Sequence, residues 1–377
     1  MLMFSLPIIV PYWLNHGMTM ADVLLLQSVF AGAIIIIEIP TGYFSDVLGR
    51  RTTMIIGTTL AWIGWVTYAF ADAFAGFLVA EIILGLGLSF ISGTDSAMLY
   101  DTMLELGTTE RAIHEEGGQM SLQAFAEAAS SIVGGLLAGI SLTLPFVVQA
   151  VVFVGLPICA LALTEPAQHR RDGRRGSWKE IVDIVVRVVH RDKELRTIIL
   201  HSSLLFSITL TMVWFAQPYW TMVGIPLAYF GILWAGANVI AGMTALRSHT
   251  LERRFGRRKL LIILTIAVVV ATQIGAWFPG VLGLLAFSLF YIARGAGIPV
   301  IVQAINSRVT SDQRATVLSV RQLGVRIVFI AMAPAFGILA DVTSVPTSIG
   351  VLGLIIGSGA ILTVFLAQRN GTLQEAA

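Results

Sequence analysis

Charged residues are scarce in this chain. Only 12% of its 377 residues are Asp, Glu, Lys or Arg, against about 25% in ordinary soluble domains. Apolar residues make up 56%, so too few polar side chains remain to cover a surface that faces water. The composition excludes a soluble globular domain and indicates a membrane protein.

Cysteine and the common cofactor motifs are also lacking. The single cysteine, Cys159, lies in an apolar run and excludes a disulfide framework within the chain. The sequence has no G-x-x-x-x-G-K-[ST] phosphate loop, no metal-ligand cluster and no nucleophile beside a base. We therefore expect no nucleotide or other cofactor, no metal and no enzymatic activity.

Long apolar runs are what the chain does have. A helix needs about 20 mostly apolar residues to cross a bilayer, and runs such as AGAIIIIEIP lack the period of two that a membrane β-barrel would show. The sequence predicts an all-α membrane protein. Its twelve spans are 1–15, 21–43, 53–71, 74–103, 118–142, 144–164, 198–221, 225–248, 259–277, 280–307, 315–340 and 346–368.

The chain also repeats itself. The segment GYFSDVLGRR at 42–51 is echoed by ERRFGRRK at 252–259, and Pro11-Tyr12-Trp13 returns 207 residues later as Pro218-Tyr219-Trp220. Gly17 returns as Gly224 at the same offset. This pattern predicts two pseudo-symmetric halves of six spans each, with boundaries at 1–164 and 197–377.

The basic residues predict the orientation. All but three of the 24 Lys and Arg residues fall in the C-terminal tail or in loops that share one side if the chain starts inside. Since basic loops stay in the cytoplasm, both termini are predicted to be cytoplasmic. We expect a multi-pass protein of a bacterial cytoplasmic (inner) membrane.

Span 1 is short for a membrane crossing. From Met1 to Leu14 a helix would cover about 21 Å, less than the roughly 30 Å of the hydrocarbon core. The repeat places the counterpart of Ile198 upstream of Met1. We therefore hypothesise that the natural start lies upstream or that the first helix was trimmed.

Residues 165–196 form the predicted cytoplasmic linker. An apolar face with helical spacing and a capping box of Ser177 and Glu180 predict an amphipathic helix. Its basic face suits contact with an anionic inner leaflet. The linker would either cover the ends of both halves or have a regulatory role. Nucleic-acid binding is not expected of a basic stretch held at a bilayer.

The loop between spans 2 and 3 carries a family resemblance. GYFSDVLGRR matches the pattern G-x-x-x-D-x-x-G-R-[KR], so the whole chain resembles the major facilitator superfamily, which shares the duplicated twelve-span architecture. The resemblance implies a cytoplasmic latch in which Asp46 meets the start of span 11 and an arginine pairs with Asp101. The residues of this implied latch are Gly42, Asp46, Gly49, Arg50, Arg51 and Asp101.

Two features depart from the family patterns. The second copy of the loop has Arg253 where the repeat offset points from Asp46, so the latch is expected to be one-sided. Proton-driven exporters carry G-x-x-x-G-P-x-x-G-G in span 5, whereas the aligned residues 126–135 lack the proline. That segment therefore does not assign the direction of transport.

Seven charged side chains fall inside the spans and away from the span ends. They would cost roughly 20 kcal/mol together if they faced lipid, so they must pair or face water. Acids lie in the first half and bases in the second, which predicts attraction across a central cleft. The seven are Glu38, Glu81, Asp95, Glu127, Arg294, Arg321 and Arg326.

Roles for these charges follow from their positions. We expect Glu81 to pair with Arg294 across the cavity, and Glu38 to pair with Arg321 at an inner gate. Asp95 and Glu127 are the candidates for carrying a proton. Helical spacing adds other polar and aromatic side chains to the predicted cavity lining. These are Ser92 of span 4 and Ser207, Trp214 and Gln217 of span 7.

The resulting hypothesis is a monomeric secondary transporter that works by alternating access on a small molecule. Aromatic and apolar side chains such as Trp214, Trp234 and Phe206 favour proton-coupled efflux of amphipathic, drug-like compounds. An alternative is proton-coupled uptake of a small anionic metabolite held by Arg294. Another is a membrane receptor or scaffold that moves nothing.

Overall fold

A computed structural model describes residues 2–108, 112–166, 192–310 and 313–369. Throughout these ranges the regular structure is helical. The α-helices are α1 (Ile9–Asn15), α2 (Met20–Leu48), α3 (Arg50–Phe70), α4 (Phe74–Ile91), α5 (Thr94–Glu105), α6 (Ala112–Ala138), α7 (Leu144–Phe153), α8 (Gly155–Ala162), α9 (Lys193–Met222), α10 (Phe230–Leu246), α11 (Ser248–Phe255), α12 (Arg257–Trp277), α13 (Val281–Ala286), α14 (Ser288–Asn306), α15 (Arg314–Val342) and α16 (Val345–Arg369).

The predicted membrane spans are confirmed as helices. Within the described ranges, eleven segments are long and apolar enough to cross a bilayer. Together with the shorter first helix they make the twelve-span arrangement. Large apolar side chains remain bare on the surface, including Phe125 at 77% exposure and Ile140 at 79%. Contiguous apolar surface of this kind suits contact with lipid.

Span 4 differs from its prediction. The sequence suggested one helix over 74–103, but α4 ends at Ile91 and α5 begins at Thr94. Gly93 between them adopts the left-handed conformation with φ of 80°. Helical spacing counted from Glu81 therefore does not extend past Gly93 to Asp95.

Span 1 also differs. A helix was expected from Met1, but Leu2–Ser5 is not helical and a 3₁₀ turn at Leu6–Ile8 leads into α1. Side chains hold this segment by its backbone: Met3 N donates to Ser130 Oγ at 2.7 Å and Phe4 N to Gln149 Oε1 at 2.7 Å. Donors satisfied in this way do not need a helical partner.

Contacts divide the chain into two compact units. The first comprises Met1–Gly173 with Ile225–Ala235, and the second comprises Arg174–Gly224 with Gly236–Ala377. The domain boundaries drawn from the sequence stay a prediction. Most of the expected linker, including its amphipathic helix, lies outside the described residues.

An aromatic cluster forms the core of the first unit. The ring of Tyr12 stacks on Phe146 with centroids 3.9 Å apart, and Tyr68 packs against Trp65 and Phe77. Tyr12, Tyr68, Phe77 and Phe146 are almost fully buried. This cluster ties α1, α3, α4 and α7 together.

The second unit has an aromatic core of its own. Tyr219 packs on Phe287 with ring centroids 4.8 Å apart, and Phe287 meets Phe290 edge to face. A buried histidine adds polar contacts between α9 and α16: His201 Nδ1 lies 3.0 Å from Thr363 Oγ1. His201 is 3% exposed, so it packs inside the unit as a cross-link between helices.

The internal repeat is confirmed by backbone geometry. Gly17 and Gly224 share φ near one value, 76° and 80°, and α3 and α12 each have 21 residues. The hydroxyl of Tyr12 donates to the Tyr68 carbonyl, and the hydroxyl of Tyr219 donates to the Gly275 carbonyl. The two tyrosine donors are 207 residues apart in the chain, and so are the two carbonyl acceptors. This is the offset of the sequence repeat.

Candidate functional site

Glu81 is the most enclosed acid among the described side chains of the first unit. Its residue is 3% exposed on α4, and Oε1 accepts hydrogen bonds from Gln27 Nε2 of α2 at 2.9 Å and from the Tyr68 hydroxyl of α3. Both donors are neutral, and within the described residues no cation pairs with this carboxylate. The expected Glu81–Arg294 pair stays a prediction, because the two residues lie in different units.

Asp95 and Ser92 lie at the break in span 4. Ser92 is exposed, and Asp95 is half-buried in the first turn of α5. The carboxylate of Asp95 accepts from the backbone N–H of Ser96 at 2.8 Å. An acid in the first turn of a helix is stabilised by the exposed N–H groups there. Its role in proton transfer stays a prediction.

Glu127 of α6 lies near an aromatic donor. The indole Nε1 of Trp234 is 3.5 Å from Glu127 Oε1, which is a long and weak contact. Both residues belong to the first unit, because Ile225–Ala235 pack with it. The carboxylate is half-buried, so Glu127 stays a candidate for carrying a proton.

α9 places the polar residues predicted for span 7. Ser207 and Gln217 are fully buried, whereas Trp214 is half-buried. Ser207 Oγ donates to the Leu204 carbonyl at 2.9 Å. Because this hydrogen bond lies within α9, Ser207 belongs to the packing of the second unit. Its contact with a substrate stays a prediction.

A cavity in the second unit brings together the three intramembrane arginines. Its volume is about 170 Å³. α9, α14 and α15 each supply one face to it. The lining residues are Phe206, Thr209, Leu210, Arg294, Ile298, Arg321, Gln322, Val325 and Arg326.

Arg321 is the most buried of the three arginines. Its residue is 7% exposed, and Nη1 donates to Ser202 Oγ of α9 at 3.3 Å. A close approach of α15 to α9 makes this possible: a Cβ on Gly324 would lie 2.3 Å from Ser203 Oγ. The sequence assigned Arg321 to a gate with Glu38, whose side chain lies outside the described part.

The loop between α2 and α3 carries part of the expected latch. Arg50 Nε pairs with Asp101 Oδ2 at 3.3 Å, and Arg50 Nη1 donates to Ser45 Oγ at 2.7 Å. Gly42 and Asp46 belong to α2, but their side chains lie outside the described part. The contact of Asp46 with span 11 therefore stays a prediction.

Glu165 completes this arrangement and was missed by sequence reasoning. Its two carboxylate oxygens accept from the backbone N–H groups of Arg50 and Arg51, each at 2.7 Å. Arg51 Nη2 in turn donates to the Leu161 carbonyl at 2.8 Å. Glu165 therefore caps the N-terminus of α3. Its position directly after span 6, on the same predicted side as the loop, was the available signal.

Gly49 permits this cap. Its φ is 92° and its ψ is 156°, a region that essentially only glycine adopts. A Cβ at this position would lie 2.9 Å from Glu165 Oε1. Gly256, its counterpart in the repeat, has nearly the same angles. The second copy of the loop pairs locally instead: Arg257 Nε contacts Glu252 Oε1 at 2.6 Å.

Comparison with solved structures supports the architecture. The nucleoside transporter NupG aligns over 97% of this chain and 95% of its own, with a TM-score of 0.81 and 13% identity. A bacterial homolog of the human lysosomal transporter Spinster covers 100% of this chain and 95% of its own, with a TM-score of 0.75 and 14% identity. A D-xylose–proton symporter covers 96% of this chain and 92% of its own, with a TM-score of 0.71 and 15% identity. At these identities the likeness shows the fold.

Two curated relatives match shorter stretches. An uncharacterized MFS-type transporter of Methanocaldococcus jannaschii is 29% identical over 89 residues, 24% of this chain and 23% of the relative. A probable vesicular acetylcholine transporter of Danio rerio is 28% identical over 131 residues, 34% of this chain and 25% of the relative. The matched part thus spans about a quarter of each relative.

A family model matches a longer part of this chain than either curated relative does. The model of the Major Facilitator Superfamily covers residues 1–251, which is well over half of the chain. The aligned structures agree with it. The chain therefore belongs to the Major Facilitator Superfamily and is a membrane transporter rather than an enzyme.

Proposed function

We propose that this transporter couples the movement of a small amphipathic molecule to a proton, by alternating access across the cytoplasmic membrane. The observation that carries the proposal is the Glu81 site. A carboxyl group is buried in a membrane span and held by two neutral donors. Intramembrane acids are costly, so they mark functional sites by default.

The chemistry of this site suits proton exchange. Both hydrogen bonds go to Oε1, which leaves Oε2 as the atom that would bind the proton. Since neither donor is a cation, protonation does not require an ion pair to break. Tyr68 and Gln27 can keep their bonds to Oε1 in both states.

Efflux is the direction that we propose, because the lining of the second-unit cavity includes apolar side chains beside its polar ones. Phe206, Leu210 and Ile298 offer surface to the apolar body of a drug-like compound. Uptake of a small anionic metabolite is the second candidate. The arginines of the same cavity favour it.

Reconstituted vesicles with an imposed pH gradient and an internal pH-sensitive dye test the proposal. Compounds that stabilise the purified protein are added one at a time, and substrate-dependent proton movement is recorded. We expect the wild type to respond and Glu81→Gln to lose the response while it still binds the compound. Asp72→Asn, which removes an exposed acid of the same unit, is the control and should respond normally.

Parallel variants assign the proton site. Asp95→Asn and Glu127→Gln are expected to reduce the rate without abolishing the coupled response. A Glu81→Gln protein whose proton movement equals that of the wild type would contradict the assignment to Glu81. The sign of the pH change that accelerates transport distinguishes efflux from uptake.

A further inference from the structure

The arginine cavity of the second unit has a specific geometry. α15 contributes four lining residues, at positions i, i+1, i+4 and i+5: Arg321, Gln322, Val325 and Arg326. With this spacing they share one face of the helix. α14 contributes Arg294 one turn before Ile298. Three guanidinium groups therefore converge on about 170 Å³ of space.

Two of these arginines have no counter-ion among the described residues. No carboxylate in those ranges lies within ion-pair distance of Arg294 or Arg321, and the pairs that are seen involve other arginines. Arg321 Nε is buried and makes no hydrogen bond to a described atom. Buried donors are almost always satisfied, so an empty donor at a cavity wall points to a ligand.

Part of the cavity lining is apolar. Phe206 and Leu210 of α9 and Val325 of α15 supply hydrocarbon surface, and Thr209 supplies one hydroxyl. A simple inorganic ion would leave this surface without a partner. A ligand with a charged head and a hydrocarbon body would use both parts of the lining.

We infer that this cavity binds the anionic group of an amphipathic organic acid, with Arg294 and Arg321 as the residues that select for the charge. The planar fork of a guanidinium matches carboxylates, sulfonates and phosphate monoesters. The inference rests on the proposed transport function and narrows the cargo from amphipathic compounds in general to organic anions. Amphipathic cations should be excluded, since like charges would meet in a low-dielectric site.

Binding to the purified full chain tests this inference without requiring transport. The probes share one body and differ in the head group: 4-phenylbutyrate, its uncharged amide and 4-phenylbutylamine. Affinities are measured by isothermal titration in nanodiscs of phosphatidylcholine. We expect the carboxylate to bind at least ten-fold more tightly than the amide, and the amine to bind more weakly still.

Variants locate the selectivity. Arg294→Gln and Arg321→Gln should each reduce the preference for the carboxylate over the amide to about two-fold or less, since each removes a charged fork. Arg294→Lys keeps the charge and should retain part of the preference. Arg247→Gln, which removes an exposed arginine of the same unit, is the matched control and should leave the preference unchanged. Thermal unfolding verifies that each variant is folded.

The outcomes separate this inference from the proposed function. Equal affinity for the carboxylate and the amide, or a preference that survives in both glutamine variants, would overturn the anion site. In that case, coupled transport would still be supported if an uncharged cargo drives proton movement and Glu81→Gln abolishes that movement. A second set of nanodiscs contains phosphatidylglycerol. Loss of carboxylate binding in these nanodiscs would mean that an anionic lipid head group occupies the site, and would overturn its assignment to cargo.

Discussion

Arg50 and Asp101 form an ion pair between the start of α3 and α5, with Nε and Oδ2 3.3 Å apart. Their side chains are 18% and 20% exposed, so the pair is only partly screened by water. The family resemblance implied this contact. The pair lies within one unit, where it joins the loop after α2 to the second helix of span 4.

The coupling between Arg50 and Asp101 is the first prediction. We expect Arg50→Gln and Asp101→Asn each to lower the unfolding temperature, and the double variant to lose less than the sum. For a partly exposed pair the coupling energy should be about 1 kcal/mol. Thermal unfolding in nanodiscs measures it, with the exposed Arg254→Gln as the control. Strict additivity of the two single changes would show that the ion pair contributes nothing.

The Glu165 cap is the second prediction. Glu165→Gln keeps one carbonyl oxygen for the two N–H groups of Arg50 and Arg51, so we expect it to destabilise the first unit by about 1 kcal/mol. Glu165→Ala removes both acceptors and should cost about 2 kcal/mol. Thermal unfolding is again the measurement, and Asp72→Asn controls for the loss of one negative charge. Equal unfolding temperatures for Glu165→Ala and the wild type would contradict the capping role.

Two glycines allow a matched comparison. Gly93→Ala meets no atom within 4 Å but places alanine at φ of 80°, which should cost about 1–2 kcal/mol. Gly49→Ala places alanine in a region that essentially only glycine adopts and also directs Cβ against the Glu165 carboxylate. We therefore expect Gly49→Ala to be the more destabilising in thermal unfolding. The reverse order would show that Glu165 is not held close to α3.

Tyrosine hydroxyls provide the fourth prediction. Tyr68→Phe removes a donor from the buried Glu81 carboxylate and should destabilise the protein by about 1–3 kcal/mol. Tyr12→Phe is the control, because its hydroxyl makes only a long contact of 3.5 Å with a backbone carbonyl. Unfolding by heat gives the comparison. Combining Tyr68→Phe with Glu81→Gln should recover part of the loss; no recovery would argue against a direct bond.

The sequence predicted the spans and the repeat for clear physical reasons. Crossing a bilayer demands long apolar runs, and a duplicated fold repeats the positions where backbone geometry demands glycine, as at Gly17 and Gly224. The pairing of Arg50 with Asp101 was implied by the family resemblance, which places an acid at the inner end of span 4. The spans and the repeat depend on local composition or on a fixed offset.

Other features depend on contacts between distant segments. Tyr68 and Gln27 are neutral residues inside apolar runs, so nothing in their spacing marked them as partners of Glu81. Helix periodicity could not predict the break at Gly93, since an isolated glycine is tolerated in many helices. The meeting of Arg294 with Arg321 in one cavity required the packing of three helices, which a single sequence does not contain.

The break at Gly93 has a mechanical consequence. A continuous helix transmits rotation along its whole length, whereas a left-handed residue decouples the parts on either side. We expect Gly93 to act as a hinge in span 4. α5, which carries Asp101, would then rotate while α4, which carries Glu81, stays in place. The Gly93→Ala protein tests this: normal substrate binding with slowed turnover supports the hinge, and unchanged turnover argues against it. Movement of α5 would then leave the surroundings of Glu81 undisturbed.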